Sequence, residues 1–202
     1  MSVVVAIKDK GRVVVGADTR GSTESGFYTD SYVINPKAVH VNKEKNVIAA
    51  VVGNPFLLDI LLGILNEEKN LDTMDRSYIV RRIVPKLYAQ ISNYCMRHSS
   101  EGELDGELFI AVKDKAYCIS SGLSVFEVED EIALGAGDEV SLGSLFTSKA
   151  MKMSPEARIE LAIRATASTI NSVSNEPYIG DTAGNEFKIM NNFKSKNLKD
   201  KV

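Results

Sequence analysis

Cysteine and histidine are both scarce in this chain of 202 residues, with two of each: Cys95, Cys118, His40 and His98. Two thiols so far apart make neither a disulfide framework nor a zinc site. Cys118 lies in an apolar stretch and reads as a small core residue. Two histidines leave little room for a histidine-based triad or a metal centre, so neither metal nor cofactor is expected. His40 reads as an outward or hydrogen-bonded side chain rather than a base. Basic charge is also lacking: the net charge is −3 and the pI about 5.5, which argues against a nucleic-acid partner, whose recognition needs a basic face. No apolar run is long enough to cross a bilayer, and no charged segment followed by an apolar one opens the chain. The expectation is a cytoplasmic protein with no membrane partner, trimmed at most by removal of Met1. The glycines of Gly135-Ala136-Gly137 lack the lysine and spacing of a phosphate loop, so no nucleotide site is read there.

What the chain does contain suits one domain with a substantial core: 44% of residues are hydrophobic and 25% charged. That domain is expected over residues 1–190, with residues 191–202 as a basic, solvated tail. β-branched runs at 2–8 and 12–18 flank the turn Asp9-Lys10-Gly11 and predict a hairpin. A second pair is predicted over 38–42 and 46–52, buried on both faces because it is almost continuously apolar. Gly53-Asn54-Pro55 then starts a helix, with Asn54 as cap and Pro55 in the first turn. A longer helix should cover 75–98, kinked at Pro85, with Ile79, Ile83, Leu87, Ile91 and Tyr94 inward. Strands follow at 107–112, 116–120, 125–128 and 132–135. One helix then begins after Gly137 and another at Ser154-Pro155. Met151 and Met153 read as packing residues near a helix end, and strands at 177–182 and 186–190 close the chain. Hairpins with helices grouped between them predict an α+β fold, a four-layer α/β/β/α sandwich of two antiparallel sheets flanked by helices.

The chemistry begins at Ser2. Removal of Met1 would leave a hydroxyl and a free α-amine on one residue. The amine has an ordinary pKa of about 7.7–8.0 and so is partly unprotonated near neutrality. A hydroxyl beside such a base is an activated nucleophile. Taken singly, Ser2 would be an ordinary second residue, Asp18 a turn former at a strand end, and Lys37 a solvated lysine after Pro36. Their joint occurrence gives them meaning.

Together the stretches Ser2-Val3-Val4-Val5-Ala6-Ile7, Val14-Val15-Gly16-Ala17-Asp18-Thr19-Arg20 and Lys37-Ala38-Val39-His40-Val41 resemble the proteasome β-subunit and HslV peptidase family of N-terminal-nucleophile hydrolases. Further matches run in order through Ile48-Ala49-Ala50-Val51-Val52-Gly53, Leu134-Gly135-Ala136-Gly137 and Ser154-Pro155-Glu156. The resemblance implies that Ser2 stands in for the usual threonine nucleophile and that Lys37 favours its ionisation. It implies that Asp18 holds the lysine and that the Ala50 amide faces the developing oxyanion. Ile48 and Val52 fall where the family lines its specificity pocket. Three positions depart from the pattern. Ala50 replaces a common glycine, Ala136 replaces a supporting serine, and Asn171 replaces an aspartate, although Ser174 keeps a supporting hydroxyl. The reaction implied is peptide-bond hydrolysis of protein or peptide substrates, within a homo-oligomer that an ATP-dependent unfoldase could feed. A non-catalytic structural subunit and a substrate-specific amidase or transpeptidase are the alternatives on the same fold.

Overall fold

The computed structural model describes residues 2–22, 28–30, 36–93 and 103–190. Met1, Tyr94, Cys95, His98 and the tail from residue 191 lie outside the described residues. The first two runs form the predicted hairpin, β1 (Val3–Asp9) and β2 (Arg12–Asp18), paired from Val4↔Ala17 to Asp9↔Arg12. Its two-residue turn, Lys10-Gly11, has positive φ at both positions, 45° and 84°. That geometry matches the right-handed twist of the flanking strands. Short strands β3 (Arg20–Ser22) and β4 (Tyr28–Asp30) make a separate ribbon. The second predicted pair is β5 (Ala38–His40) and β6 (Val47–Gly53).

Helix α1 (Phe56–Asn66) begins one residue later than the sequence suggests, yet the Asn54 carboxamide still accepts the Phe56 N–H at 3.1 Å. The long helix predicted over 75–98 runs without interruption over 76–93 but is distorted within, and residues 94–98 lie outside the described residues. A turn of α-helix, α2 (Arg76–Tyr78), leads into a π-helical segment (Ile79–Ile83) and then α3 (Val84–Asn93). Pro85 has no N–H to donate and its ring crowds the carbonyl one turn back, so the backbone widens just ahead of it. The inward set survives the distortion: Ile79, Ile83, Leu87 and Ile91 are all buried.

β7 (Gly106–Val112), β8 (Lys115–Ile119), β9 (Val125–Glu127) and β10 (Glu131–Gly135) follow, then α4 (Asp138–Lys149) and α5 (Pro155–Thr169). Ser154 caps α5 by accepting the Ala157 N–H at 3.2 Å. The last strands are β11 (Pro177–Asp181) and β12 (Lys188–Ile189). Met151 does not pack as expected and is 63% exposed, because α4 ends at Lys149 and the chain turns outward there.

Two five-stranded antiparallel sheets result, ordered β10-β1-β2-β11-β12 and β5-β6-β7-β8-β9. Three apolar layers hold them. Val47, Ala49 and Val51 of β6 face α1 and α3, while Ile48, Ala50 and Val52 face the other sheet. Val3, Val5, Ile159 and Ile163 fill the third layer, between the first sheet and α4–α5. This is the four-layer α/β/β/α sandwich. No helix among the described residues is long and apolar enough to cross a membrane.

The third layer is closed tightly over Gly16, where an added Cβ would lie 2.4 Å from Ile159 Cγ2 and within 3.3 Å of Ile163 and Ile179. Gly16→Ala is expected to cost about 1–3 kcal/mol through overpacking, measurable as a lower urea midpoint with an unchanged slope.

Candidate active site

The ends of four strands meet at one edge of the sandwich. β1 starts there, β2 and β10 end there, and β11 starts there, because Val3 pairs with Gly135 and Pro177 with Asp18. Ser2 precedes β1, is 8% exposed, and its carbonyl accepts the Ala136 N–H at 2.8 Å. Gly135 makes this approach possible. It sits at φ +91°, and a Cβ there would lie 2.1 Å from the Ser2 carbonyl oxygen, so a glycine is required.

Asp18 has no exposure to solvent. Its Oδ1 accepts the Val3 N–H at 2.9 Å and the Lys37 ammonium at 2.5 Å. Oδ2 accepts the N–H groups of Arg20 at 3.0 Å and Ser174 at 3.1 Å. One carboxylate therefore fastens the residue after Ser2, the candidate lysine and the segment carrying Ser174. Lys37 is itself 8% exposed, so the ion pair is buried and held by full hydrogen bonding rather than by contact alone. A strand end is a rigid place for such groups.

The supporting positions fall unequally. Ser174 is buried, and besides its amide bond to Asp18 its Oγ accepts the Glu176 N–H at 3.2 Å. Ala136 contributes through its backbone. Asn171 is exposed and joins only indirectly: its carbonyl accepts from the Arg20 guanidinium at 2.7 Å, while the Arg20 amide is on Asp18. Arg20 lay inside a motif read in the sequence, but its part in tying β2 to the α5–β11 turn was not.

Two expectations need correction. Hydrogen bonds in an antiparallel ladder alternate sides. The Val51 N–H donates to the Lys37 carbonyl across β5 at 2.8 Å, so the Ala50 N–H points the other way, into the pairing with Phe109 of β7. An amide committed to the interior of a sheet is not open to a substrate, and Ala50 is fully buried. The alternation carries the Gly53 N–H to the Lys37 side instead, at the exposed end of β6, where φ is +96°. A glycine ending an apolar run was the available signal. Ile48 likewise lines no opening, being fully buried between the sheets. Val52 is closer to the site: its Cγ1 lies 2.9 Å from where a Gly135 Cβ would stand, which places it behind the Ser2 backbone.

The remaining titratable groups do not compete for the role. Burial lowers the pKa of His40 from its ordinary value despite the opposing pull of the Asn185 carbonyl, 3.1 Å from Nε2. Burial pushes the Cys118 thiol up to about 12, so it stays protonated and inert. Among the described residues, no group of three or more His, Cys, Asp or Glu side chains could hold a metal ion.

Comparison with known proteins follows the same outline. The family model described as proteasome subunit matches residues 2–179. No curated protein sequence matches significantly. Among solved structures, Thiobacillus denitrificans BPH is similar at a TM-score of 0.73 and 20% identity, covering 89% of this chain and 96% of that one. That protein has also been solved in complex with Epoxomicin. HslV from Trypanosoma brucei is similar at a TM-score of 0.64 and 14% identity, covering 89% and 98%. Anbu from Hyphomicrobium sp. strain MC1 gives 0.69 and 12%, covering 94% and 86%.

Removing one member of a buried pair leaves an uncompensated charge. Asp18→Ala is expected to destabilise the fold by about 3–5 kcal/mol. The double variant Asp18→Ala/Lys37→Met should recover part of that loss, as read by urea denaturation of both proteins.

Proposed function

Because this chain belongs to the proteasome subunit family, we propose that it is a peptidase whose nucleophile is the Ser2 hydroxyl, exposed by removal of Met1. The observation that carries this reading is the Asp18 carboxylate, which binds the Lys37 ammonium and the Val3 amide through the same oxygen. Ser2 Oγ attacks the scissile carbonyl carbon, and its proton passes to the Ser2 α-amine through water. The Lys37 ammonium lowers the cost of negative charge on Oγ and keeps the neighbouring amine neutral. The Gly53 N–H, in place of Ala50, donates to the oxyanion of the tetrahedral intermediate. Collapse returns the proton to the leaving amine and leaves an ester on Ser2, which water then hydrolyses to regenerate the hydroxyl. Ala136 and Ser174 act as supports through their backbone amides. Position 171 carries no negative charge, which lowers the basicity of the amine relative to a site with an aspartate there.

Protein or peptide chains are the substrates, cleaved within an oligomer of this chain. Assembly is favoured by the outer side of α4, where Leu142 and Phe146, one turn apart, are 41% and 80% exposed, apolar surface that water would not leave open cheaply. An ATP-dependent unfoldase as the supplier of substrate completes the proposal.

Intact-mass measurement of the native protein should give the chain without Met1. A peptide epoxyketone or β-lactone should then add one equivalent to Ser2, and Ser2→Ala should abolish both labelling and peptide cleavage. A chain that retains Met1 in its native assembly, unlabelled and inactive, would instead make this a non-catalytic subunit.

A further inference from the structure

Tyr178 opens the sequence Tyr178-Ile179-Gly180-Asp181-Thr182, to which the sequence assigns no chemistry. It belongs to β11 of the first sheet and is fully buried between the two sheets. Its hydroxyl oxygen reaches across to β5 and its preceding residue, accepting the N–H of Lys37 at 2.6 Å and of Ala38 at 2.8 Å. A phenol oxygen has two acceptor sites, and both are used on consecutive amides at the candidate lysine. The Lys37 carbonyl is taken by the Val51 N–H at 2.8 Å, so the backbone of Lys37 is fixed on both sides. The amide side is held from the opposite sheet.

The ring of Tyr178 is held edge-on by Phe187 at 5.5 Å between centroids, and Phe187 in turn tilts against His40 at 5.1 Å. Next to these rings is a cavity of about 400 Å³ bordered by Pro36, Ala38, His40, Tyr178 and Phe187. Ala38 borders this cavity while remaining buried in the core between the sheets. The two hydroxyl bonds add a directional tie from the first sheet to the start of β5, which apolar packing does not supply.

We propose that Tyr178 is a positioning residue: its hydroxyl fixes the Lys37 backbone relative to Asp18 and Ser2, and so the approach of the ammonium to the nucleophile. Asp18 and Tyr178 both belong to the first sheet, on paired strands β2 and β11. They grip Lys37 from one rigid body, one by its side chain and one by its amide. This rests on the reading of Lys37 as part of the catalytic group.

The test is Tyr178→Phe in the processed, assembled protein, with kcat, KM and the pH profile of Ser2 labelling by a peptide epoxyketone. Loss of orientation without loss of substrate contacts is expected to lower kcat about 10-fold or more, with KM changed by less than about twofold. The labelling profile should move to higher pH, as a displaced ammonium no longer holds the neighbouring amine neutral. Phe187→Leu removes ring packing but leaves the hydroxyl; it should lower Tm and keep the wild-type profile. A wild-type kcat and profile in Tyr178→Phe would overturn the proposal. So would an equal kinetic loss in Phe187→Leu at a matched fall in Tm. Hydrogen exchange on the unaltered protein gives a reading independent of whether Tyr178→Phe folds: the Lys37 and Ala38 amides should be protected to the level of β6, and rapid exchange at both would refute the bonds. If Lys37→Ala labels at the wild-type rate, the catalytic reading fails first, whatever Tyr178 does.

Discussion

A carboxylate shut away from water must have its charge and its lone pairs answered by the protein, and Asp18 is answered from four places at once. Val3, Arg20, Lys37 and Ser174 come from β1, the exit of β2, the approach to β5 and the turn before β11. Each donor on its own is replaceable; together they leave the carboxylate no uncompensated direction. The same condition that makes its burial tolerable therefore fixes the relative positions of the starts of β1, β5 and β11 and the end of β2.

Depth decides which neighbouring residues can share in chemistry. Strands alternate both side chains and amides, so two residues of β6 an odd number of positions apart have different fates. Ala50 spends its amide on β7 and its methyl on the core, whereas Gly53, past the end of the β5 pairing, keeps its amide at the surface. The Ser2 end of β1 is governed by the same economy of space: Gly135 and Ala136 approach its carbonyl because one has no side chain and the other offers only its backbone. The Ala136 contribution is a main-chain donor, which substitution of residue type leaves in place.

Much of this was legible in the residue order. Turn chemistry at Lys10-Gly11 and the Ser154-Pro155 cap located their elements to within a residue or two, because local backbone preference and tertiary structure agree there. The trio Ser2, Asp18 and Lys37 could be singled out as a set, and Asp18 and Lys37 do meet. The Ala50 and Ile48 readings were carried over from the resemblance, and nothing local could correct them: in a run as uniformly apolar as residues 47–52 period-two alternation is invisible, and amide direction is decided by partner strands far away in sequence. Tyr178 and Arg20 were hidden similarly. Their importance lies in which backbone groups they reach, and those contacts span 141 and 151 residues. The π-helical turn ahead of Pro85 was half visible, since proline announces a disturbance without saying which form it takes.

The central placement of β1 has a bearing on how the protein is made. Its partner β10 and the Ser174 amide that completes the Asp18 shell lie more than a hundred residues downstream. A chain emerging from the ribosome holds Ser2, Asp18 and Lys37 long before it holds Ala136 or Ser174. Domains dominated by such long-range pairings settle only when the late strands arrive. The first strand must wait, unpaired on one edge, for the tenth. A half-synthesised chain thus holds Ser2, the proposed nucleophile, before the strand and the turn that enclose it have been made.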